Sequence, residues 1–296
     1  MDTGEAVNAF LRSCQARGLS PRTLDWYRGI LHRFAASVHE VPSLPDEVER
    51  FLAGVPGCDV TRYDYWNVAR LFCRWCAKRY GVANPMTEIS PPRVKKKRPR
   101  TLSVQELGCL FLVARGKRDR ALLTLLVDTG IRIGEALNLS REDIGDETIY
   151  VDGKTGPREV PLSAGTRAGL LEMVPHGPLF WGAKGRMTRS GAYNVVQKLF
   201  KGAGIIGRKL GPHTLRHTFG RQYIVNGGDL ISLQRILGHS NIQTTRIYAE
   251  LDMRDVVRQH HKFSPLRDAM APVQGDMFDE VARAVDIRLA RLQNTE

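Results

Sequence analysis

A proline-broken, strongly basic segment divides this chain into two parts. Ser90-Pro91-Pro92 disfavours helix and extends the backbone, and six of the eight residues from Arg93 to Arg100 are basic. With 296 residues, 42% of them hydrophobic, the chain is long enough for two domains. We therefore predict an N-terminal domain at 1–88, a linker at 89–100, a second domain at 101–262 and a C-terminal arm with a helix at 263–296.

Positive charge dominates both predicted domains but not the arm. The formal net charge is +13, with +7 in residues 1–100, +8 in residues 101–248 and −2 in residues 249–296. Such a surplus predicts a polyanionic partner, with nucleic acid favoured over an anionic membrane. No apolar stretch approaches the ~20 residues of a membrane-spanning helix. Because the N-terminus also lacks the apolar core of a secretory signal, we expect a cytoplasmic protein.

The linker carries the densest basic run of the chain. We predict that it contacts DNA phosphates, because the regions on both sides of it are basic too. A solvated linker with no binding role and a nuclear-import signal remain alternatives. The predicted DNA-binding residues are Arg93, Lys95, Lys96, Lys97, Arg98 and Arg100.

Apolar side chains before the linker recur at helical spacing. Cys73 and Cys76 lie within one of these patterns, and no second pair follows at zinc spacing, so we interpret both as small buried apolar residues. We predict four amphipathic helices: one that carries Val7, Phe10 and Leu11, one that begins at Ser20-Pro21, a short one at Asp46–Leu52 and one at about Asp59–Tyr80.

Residues after the linker combine helices with one hairpin. A capping-box pattern at Ser103–Glu106 begins a helix, and Thr129-Gly130 ends another. Two strands, at Thr148–Val151 and Arg158–Leu162, flank the turn-rich segment Gly153–Gly156. Further helices are predicted at Arg120–Val127, Ile131–Leu139, Thr188–Lys201, Thr214–Val225, Leu230–Leu237 and Ile242–Glu250. The fold class is thus mainly α with a small antiparallel β-sheet.

Side chains suited to phosphate chemistry stand at breaks in this pattern. Arg132 begins a helix between apolar residues, where a partly buried guanidinium needs an anion, and Glu135 is placed to orient it. Taken singly, residues of these types are more often surface charges, structural histidines or core-edge tyrosines. Further candidates, at the hairpin tip, near helix ends or on a late helix, are Lys154, His213, Arg216, His239 and Tyr248.

Four motifs in a fixed order resemble the tyrosine recombinase (integrase) family. Ile131 and Gly220 depart from residues common in that family, and neither stands at a catalytic position. The motifs are Thr129–Leu139, similar to the first arginine box; Val151–Lys154 with Arg158–Leu162, similar to the lysine hairpin; Pro212–Phe219, similar to the second box; and Leu237–Tyr248, similar to the third.

The resemblance implies a helical core-binding domain, an α+β catalytic domain and a set of roles. Tyr248 would attack the scissile phosphate and form a 3′-phosphotyrosyl bond. Arg132 and Arg216 would stabilise the transition state, and no metal or other cofactor would be needed. Lys154 would be the general acid, His213 would assist proton transfer from Tyr248, and His239 would donate a hydrogen bond to the phosphate. Glu135 would hold Arg132 or His213 in place.

The resemblance also implies double-stranded DNA with inverted repeats as partner and a homotetramer that forms a Holliday junction. The C-terminal helix would dock on a neighbouring protomer, although packing on its own domain is an alternative. The need for a paired recombinase or accessory factor is left open. The first helical pattern begins near residue 5, so we expect the compact Xer or simple-integrase type, without an additional arm-binding domain.

Two other functions are weighed against recombination. A type IB topoisomerase-like relaxing enzyme would use the same chemistry, and a catalytically silent DNA-binding relative would keep only the fold.

Two further side chains receive structural interpretations. We predict that His217 points away from the site and that Ser240 caps the helix that begins near Ile242.

Overall fold

The computed structural model describes residues 1–41, 43–94, 98–153, 156–207, 209–249 and 253–265. The chain forms two compact units, Met1–Lys97 and Arg98–Glu296. The predicted domain boundaries at residues 88 and 101 stay a prediction. The described residues do not include Lys95, Lys96, Lys97, Lys154 or the predicted C-terminal helix.

Helices make up most of the described part of the first unit. Asp2 and Ser20 cap the first two helices by accepting hydrogen bonds from the backbone N–H groups of Glu5 and Thr23, at 2.8 and 3.3 Å. The four predicted helices are confirmed. Their bounds are α1 Thr3–Ala16, α2 Pro21–Ser37, α3 Pro45–Ala53 and α4 Asp59–Tyr80, and a 3-10 turn follows at Pro85–Thr87.

Aromatic rings fill the core of the first unit. Phe72 packs edge-on against Phe10 and Phe34, with ring centroids 5.7 and 5.8 Å apart. Cys73 and Cys76 lie buried in the same core, and burial raises the pKa of each thiol to about 12. Both thiols are therefore protonated at neutral pH, and the prediction that these cysteines are buried is confirmed.

The second unit is built around α6, which is apolar on most of its circumference. Leu122, Leu123, Leu125 and Leu126 of this helix are each 1% exposed or less. The helices are α5 Val104–Val113, α6 Lys117–Thr129, α7 Ile133–Asn138, α8 Ala164–Leu171, α9 Arg189–Gly202, α10 Pro212–Val225, α11 Leu230–Leu237, α12 Ile242–Thr245 and α13 Met253–Phe263. Two 3-10 turns lie at Arg141–Asp143 and Arg246–Tyr248.

A two-stranded antiparallel sheet packs its apolar face on this core. The strands are β1 Thr148–Gly153 and β2 Gly156–Pro161, and Ile149 pairs with Val160. Alternate side chains point to opposite faces, so Ile149, Val151 and Val160 are buried while Tyr150 is exposed. The mainly α fold with a small antiparallel sheet is therefore confirmed.

The structure also contains elements that the pattern did not predict. These are α8, α13, the 3-10 turns at Pro85–Thr87 and Arg141–Asp143, and a short hairpin of β3 Trp181–Gly182 and β4 Gly185–Arg186. In place of a helix at 242–250, α12 ends at Thr245 and a 3-10 turn follows; Glu250 lies outside the described residues. None of the described helices is both long enough and apolar enough to cross a membrane.

The predicted cap at Ser240 is wrong. Asn241 is the residue directly before α12, and its side chain accepts a hydrogen bond from the backbone N–H of Gln243 at 2.8 Å. A short amide side chain at this position reaches the first-turn donors, and Ser240 is one residue too early to do so.

Candidate active site

Arg132 stands at the start of α7 and is held there by Glu135. The backbone N–H of Arg132 donates to Oε2 of Glu135 at 2.8 Å, and Nη1 donates to Oε1 at 2.9 Å. Nη2 donates to the carbonyl of Gly238 at 3.3 Å. Since 32% of the Arg132 side chain stays exposed, its guanidinium is fixed in direction and still accessible to an anion.

Glu135 also binds Arg158, which comes from β2. Nη1 and Nη2 of Arg158 donate to Oε1 and Oε2 of Glu135 at 3.1 and 2.9 Å, and Nε donates to the carbonyl of Ile236 at 2.9 Å. Burial raises the pKa of Glu135, but the hydrogen bonds from Arg158 and Arg132 outweigh it, and the net pKa is lowered. The carboxylate is therefore ionised. The sequence pattern places Arg158 within the hairpin motif and does not predict this contact.

Arg216 of α10 is almost completely buried, with 4% of its surface exposed. Nη1 donates to the carbonyl of Gly130 and Nη2 to the carbonyl of Leu237, both at 2.8 Å. These carbonyls lie at the C-terminal ends of α6 and α11, where the partial negative charge of a helix concentrates. Burial, with the nearby charge of Arg132, lowers the pKa of Arg216 to about 10, so it stays cationic at neutral pH.

His239 lies against Arg216, just beyond the end of α11. Its Nε2 is 2.9 Å from Nη2 of Arg216, and its Nδ1 is 2.9 Å from the hydroxyl of Thr245. Because a guanidinium only donates, Nε2 is the acceptor, and the ring proton resides on Nδ1. Burial and the charges of Arg216 and Arg132 lower the pKa of His239 to about 4. The ring is therefore neutral at neutral pH.

Tyr248 lies in the 3-10 turn after α12 and is 3% exposed. Its Oη is 2.9 Å from Nδ1 of His217 on α10. Burial raises the pKa of Tyr248, and the nearby charges of Arg216 and Arg132 only partly oppose this effect. The phenol is therefore protonated at neutral pH, and its proton needs an acceptor if Oη is to act as a nucleophile.

The two histidines of α10 differ in their contacts. The side chain of His213 is largely exposed and makes no hydrogen bond within the described part of the chain. Burial of part of its ring and the charges of Arg216 and Arg132 lower its pKa. The prediction that His217 points away from the site is wrong. Tyr248 folds back onto the side of α10 that carries His217, so the histidine meets the phenol.

These contacts group cationic side chains near a tyrosine. Glu135 binds Arg132 and His239 contacts Arg216, while the two arginines bind the consecutive carbonyls of Gly238 and Leu237. The charges of both arginines lower the pKa of Tyr248, against the larger effect of burial. No group of three or more His, Cys, Asp or Glu residues suited to hold a metal ion occurs in the described ranges. Fixed guanidiniums and imidazoles are suited to bind a phosphodiester.

Similarity to known proteins identifies the class. The model of the Phage integrase family matches residues 110–255. The tyrosine recombinase XerC of Methylobacterium sp. (strain 4-46) is 31% identical over 290 residues, which cover 85% of this chain and 90% of that protein. This chain belongs to the tyrosine recombinase family and is a tyrosine-type site-specific DNA recombinase.

Further relatives agree with this assignment. The tyrosine recombinase XerD of Chlorobaculum tepidum is 28% identical over 285 residues, which cover 84% of this chain and 92% of that protein. A crystal structure of XerH site-specific recombinase in a post-cleavage complex with palindromic difH substrate has a TM-score of 0.69 and 24% identity, and the match covers 84% of this chain and 82% of that chain. The likeness to that structure shows the fold. The family resemblance carried by the four motifs is confirmed.

Proposed function

We propose that this recombinase cuts and rejoins DNA through a 3′-phosphotyrosyl bond on Tyr248, without a metal ion or ATP. The observation that carries the proposal is the contact of Arg216 with His239, next to Arg132 and within electrostatic reach of Tyr248. A buried cationic group beside a second one is costly unless an anion offsets them. A scissile phosphate is the anion that DNA strand exchange provides.

Both guanidiniums keep hydrogen-bond donors for this phosphate. Arg216 uses three of its five side-chain N–H groups within the described residues, on the carbonyls of Gly130 and Leu237 and on His239. Arg132 uses two, on Glu135 and on the carbonyl of Gly238. The remaining N–H groups can bind the non-bridging oxygens, where negative charge grows as phosphorus becomes five-coordinate.

The chemical step conserves the energy of the phosphodiester. Oη of Tyr248 bonds to phosphorus while the bond to the 5′-oxygen breaks, and that oxygen receives a proton from Lys154. The phenolic proton passes to a histidine of α10. Arg216 turns the N–H that now binds His239 toward the phosphate, and His239 donates to the phosphate in the tautomer that carries its proton on Nε2. Attack of a free 5′-hydroxyl on the phosphotyrosine reverses these steps and rejoins the strand without ATP.

The wider assembly belongs to the same proposal. The basic linker with Arg93, Arg98 and Arg100 would bind phosphates of a duplex that carries inverted repeats. Four protomers would pair two such sites and exchange strands through a Holliday junction, with the C-terminal arm docked on a neighbour. A paired recombinase or accessory factor would be recruited if one chain cannot complete both strand exchanges.

A covalent-adduct assay tests this function. A binding site is first selected from random duplexes with the full chain, and a nick is then placed beside the cleavage position so that the released fragment diffuses away. We expect a protein–DNA adduct that survives denaturation and forms in the presence of EDTA. Tyr248→Phe should abolish the adduct, and the matched control Tyr223→Phe, on α10, should leave it unchanged. Adduct formation by Tyr248→Phe would overturn the assignment of the nucleophile.

A plasmid assay separates recombination from simple relaxation. A supercoiled plasmid with two selected sites should yield recombinant circles, and a plasmid with one site should yield far fewer products. Rapid relaxation of the single-site plasmid without recombinants from the two-site plasmid would favour the topoisomerase-like alternative.

Arg216→Lys should keep DNA affinity but slow cleavage by about 100-fold or more, because a point charge cannot replace the two-pronged donor.

A further inference from the structure

Tyr248 lies in a slot on α10 that His217 and Gly220 form. Oη of Tyr248 is 2.9 Å from Nδ1 of His217, and the two ring centroids are 5.7 Å apart. A Cβ atom built on Gly220 would lie 2.9 Å from the nearest carbons of the Tyr248 ring, so the absence of a side chain makes room for the ring. Since residues 217 and 220 share one face of a helix, α10 fixes both the ring and its hydroxyl.

The hydrogen bond between these residues joins two neutral groups at neutral pH. Burial, with the nearby His213 and Arg216, lowers the pKa of His217 to about 4, and burial raises the pKa of Tyr248. Among the described residues, the titratable and charged groups close to His217 are His213 and Arg216 of α10, Tyr248 of the 3-10 turn and His239 beyond the end of α11. In the tautomer with its proton on Nε2, His217 accepts the phenolic O–H at Nδ1.

His213 does not share this geometry. It lies one turn earlier on α10, is exposed, and its side chain makes no hydrogen bond to any described residue. A general base must be within about 2.6–3.2 Å of the group it deprotonates, or reach it through one water molecule. Among the described residues, His217 is the one whose ring nitrogen meets this requirement at Oη of Tyr248.

We propose that His217 is the residue that accepts the proton of Tyr248 during DNA cleavage, an inference that rests on the proposed phosphotyrosyl chemistry. As Oη bonds to phosphorus, its O–H bond breaks and the proton passes to Nδ1 of His217. The 5′-oxygen leaves with a proton from Lys154. In the rejoining step, the attacking 5′-oxygen bonds to phosphorus and gives its proton back to Lys154, while Nδ1 returns its proton to Oη as the bond between phosphorus and the tyrosine breaks. The negative charge of the bound phosphodiester favours the imidazolium that exists between the two steps.

The test compares two substitutions with different chemistry. His217→Asn keeps a hydrogen-bond acceptor close to the position of Nδ1 but cannot take up a proton. His217→Ala removes both the acceptor and the base. Single-turnover cleavage of the nicked site is measured with excess full-length protein between about pH 6 and pH 9. We expect His217→Asn to lose about 100-fold in rate near pH 7 and to recover about tenfold per pH unit, as hydroxide replaces the missing base. Binding of the site in a gel-shift assay should stay unchanged.

Matched controls make the outcome decisive. His176→Asn changes an exposed histidine of the same unit and should keep the rate and the pH profile. If His217→Asn also keeps both while His217→Ala loses activity, His217 only positions the tyrosine and the proposal is overturned. The proposal fails equally if His213→Asn, and not His217→Asn, acquires the steep pH dependence. His217→Gln serves as the second variant if the Asn protein unfolds. A parent protein that forms no adduct at all would instead overturn the phosphotyrosyl function itself, and this inference with it.

Discussion

Glu135 and Arg158 form a two-pronged ion pair, with Nη1–Oε1 and Nη2–Oε2 distances of 3.1 and 2.9 Å. Only 5% and 10% of the two side chains are exposed. The same carboxylate binds Arg132, and Arg158 also binds the carbonyl of Ile236, two residues before the carbonyl that holds Arg132. The position of the Arg132 guanidinium therefore depends on Arg158, which lies on a different element.

We predict that Arg158→Lys slows cleavage more than it weakens folding. Lysine keeps the positive charge beside Glu135 but cannot bind both carboxylate oxygens and the carbonyl of Ile236 together. A displacement of Arg132 by about 1 Å is expected to cost about 100-fold in rate. Arg158→Ala leaves the carboxylate without its main partner and should also destabilise the fold by about 3–5 kcal/mol. Single-turnover cleavage and urea unfolding measure the two effects.

The control for this prediction is an exposed ion pair. Arg167 binds Asp146 at 2.8 Å, with 34% and 96% of the side chains exposed, and such pairs contribute about 0–1 kcal/mol. Arg167→Lys should therefore leave both the rate and the urea midpoint unchanged. Equal losses in the two lysine variants would contradict a special role for Arg158.

Gly153, the last residue of β1, has no room for a side chain. A Cβ atom built there would lie 2.3 Å from Oε1 of Glu135 and 3.4 Å from Nη1 of Arg158. We predict that Gly153→Ala displaces the carboxylate, lowers the thermal midpoint and slows cleavage. Gly182→Ala is the control, because a Cβ atom at that position makes only ordinary contacts of 3.6 Å or more. A Gly153→Ala protein as active and stable as the control would show that the hairpin moves freely against Glu135.

Much of the fold could be predicted because its signals are local. Ser20 and Ser103 begin α2 and α5 by capping backbone groups three residues away, which is why sequence spacing locates both helices. A similar signal is present for α8, where Ser163 accepts a hydrogen bond from the backbone N–H of Thr166. Two glycines inside that helix weaken its helical sequence pattern, so the helix was not predicted.

The partners of the site residues could not be predicted in the same way. His217 and Tyr248 are 31 residues apart in the chain, and Glu135 and Arg158 are 23 apart. Both His217 and Arg158 stand inside recognisable motifs, so the sequence marks the segments that contribute to the site. Which side chains meet is decided by how the 3-10 turn after α12 and the hairpin pack against the helices, and spacing along the chain carries no information about that packing.

Gly220 is expected to be required for the placement of Tyr248. The extra methyl group of Gly220→Ala would lie about 2.9 Å from the tyrosine ring, so the ring must shift away from α10. We predict a loss of adduct formation with little change in DNA binding. Gly169→Ala, in α8, adds a methyl group into open space and should be neutral or stabilising by up to about 1 kcal/mol. Normal cleavage by Gly220→Ala would contradict the need for the slot.

Acid is expected to destabilise the second unit through two partly buried histidines. The pKa of His239 and that of His217 are lowered from 6.5 to about 4 in the folded chain. Between these values the unfolded chain binds protons that the folded chain does not, so the free energy of unfolding falls as pH decreases from about 6.5 to about 4. Above about pH 6.5 both states are neutral at these positions, and the two histidines contribute no pH dependence.

His239→Gln isolates one of these contributions. Its amide oxygen can still accept a hydrogen bond from Nη2 of Arg216, but the side chain no longer titrates. We therefore expect the urea midpoint of His239→Gln to fall less steeply between about pH 6.5 and pH 4 than that of the parent protein. His176→Gln removes an exposed histidine and should keep the parent slope. A slope for His239→Gln equal to that of the parent would mean that His239 is already protonated in the folded state, and its Nε2 could then not accept the hydrogen bond from Arg216.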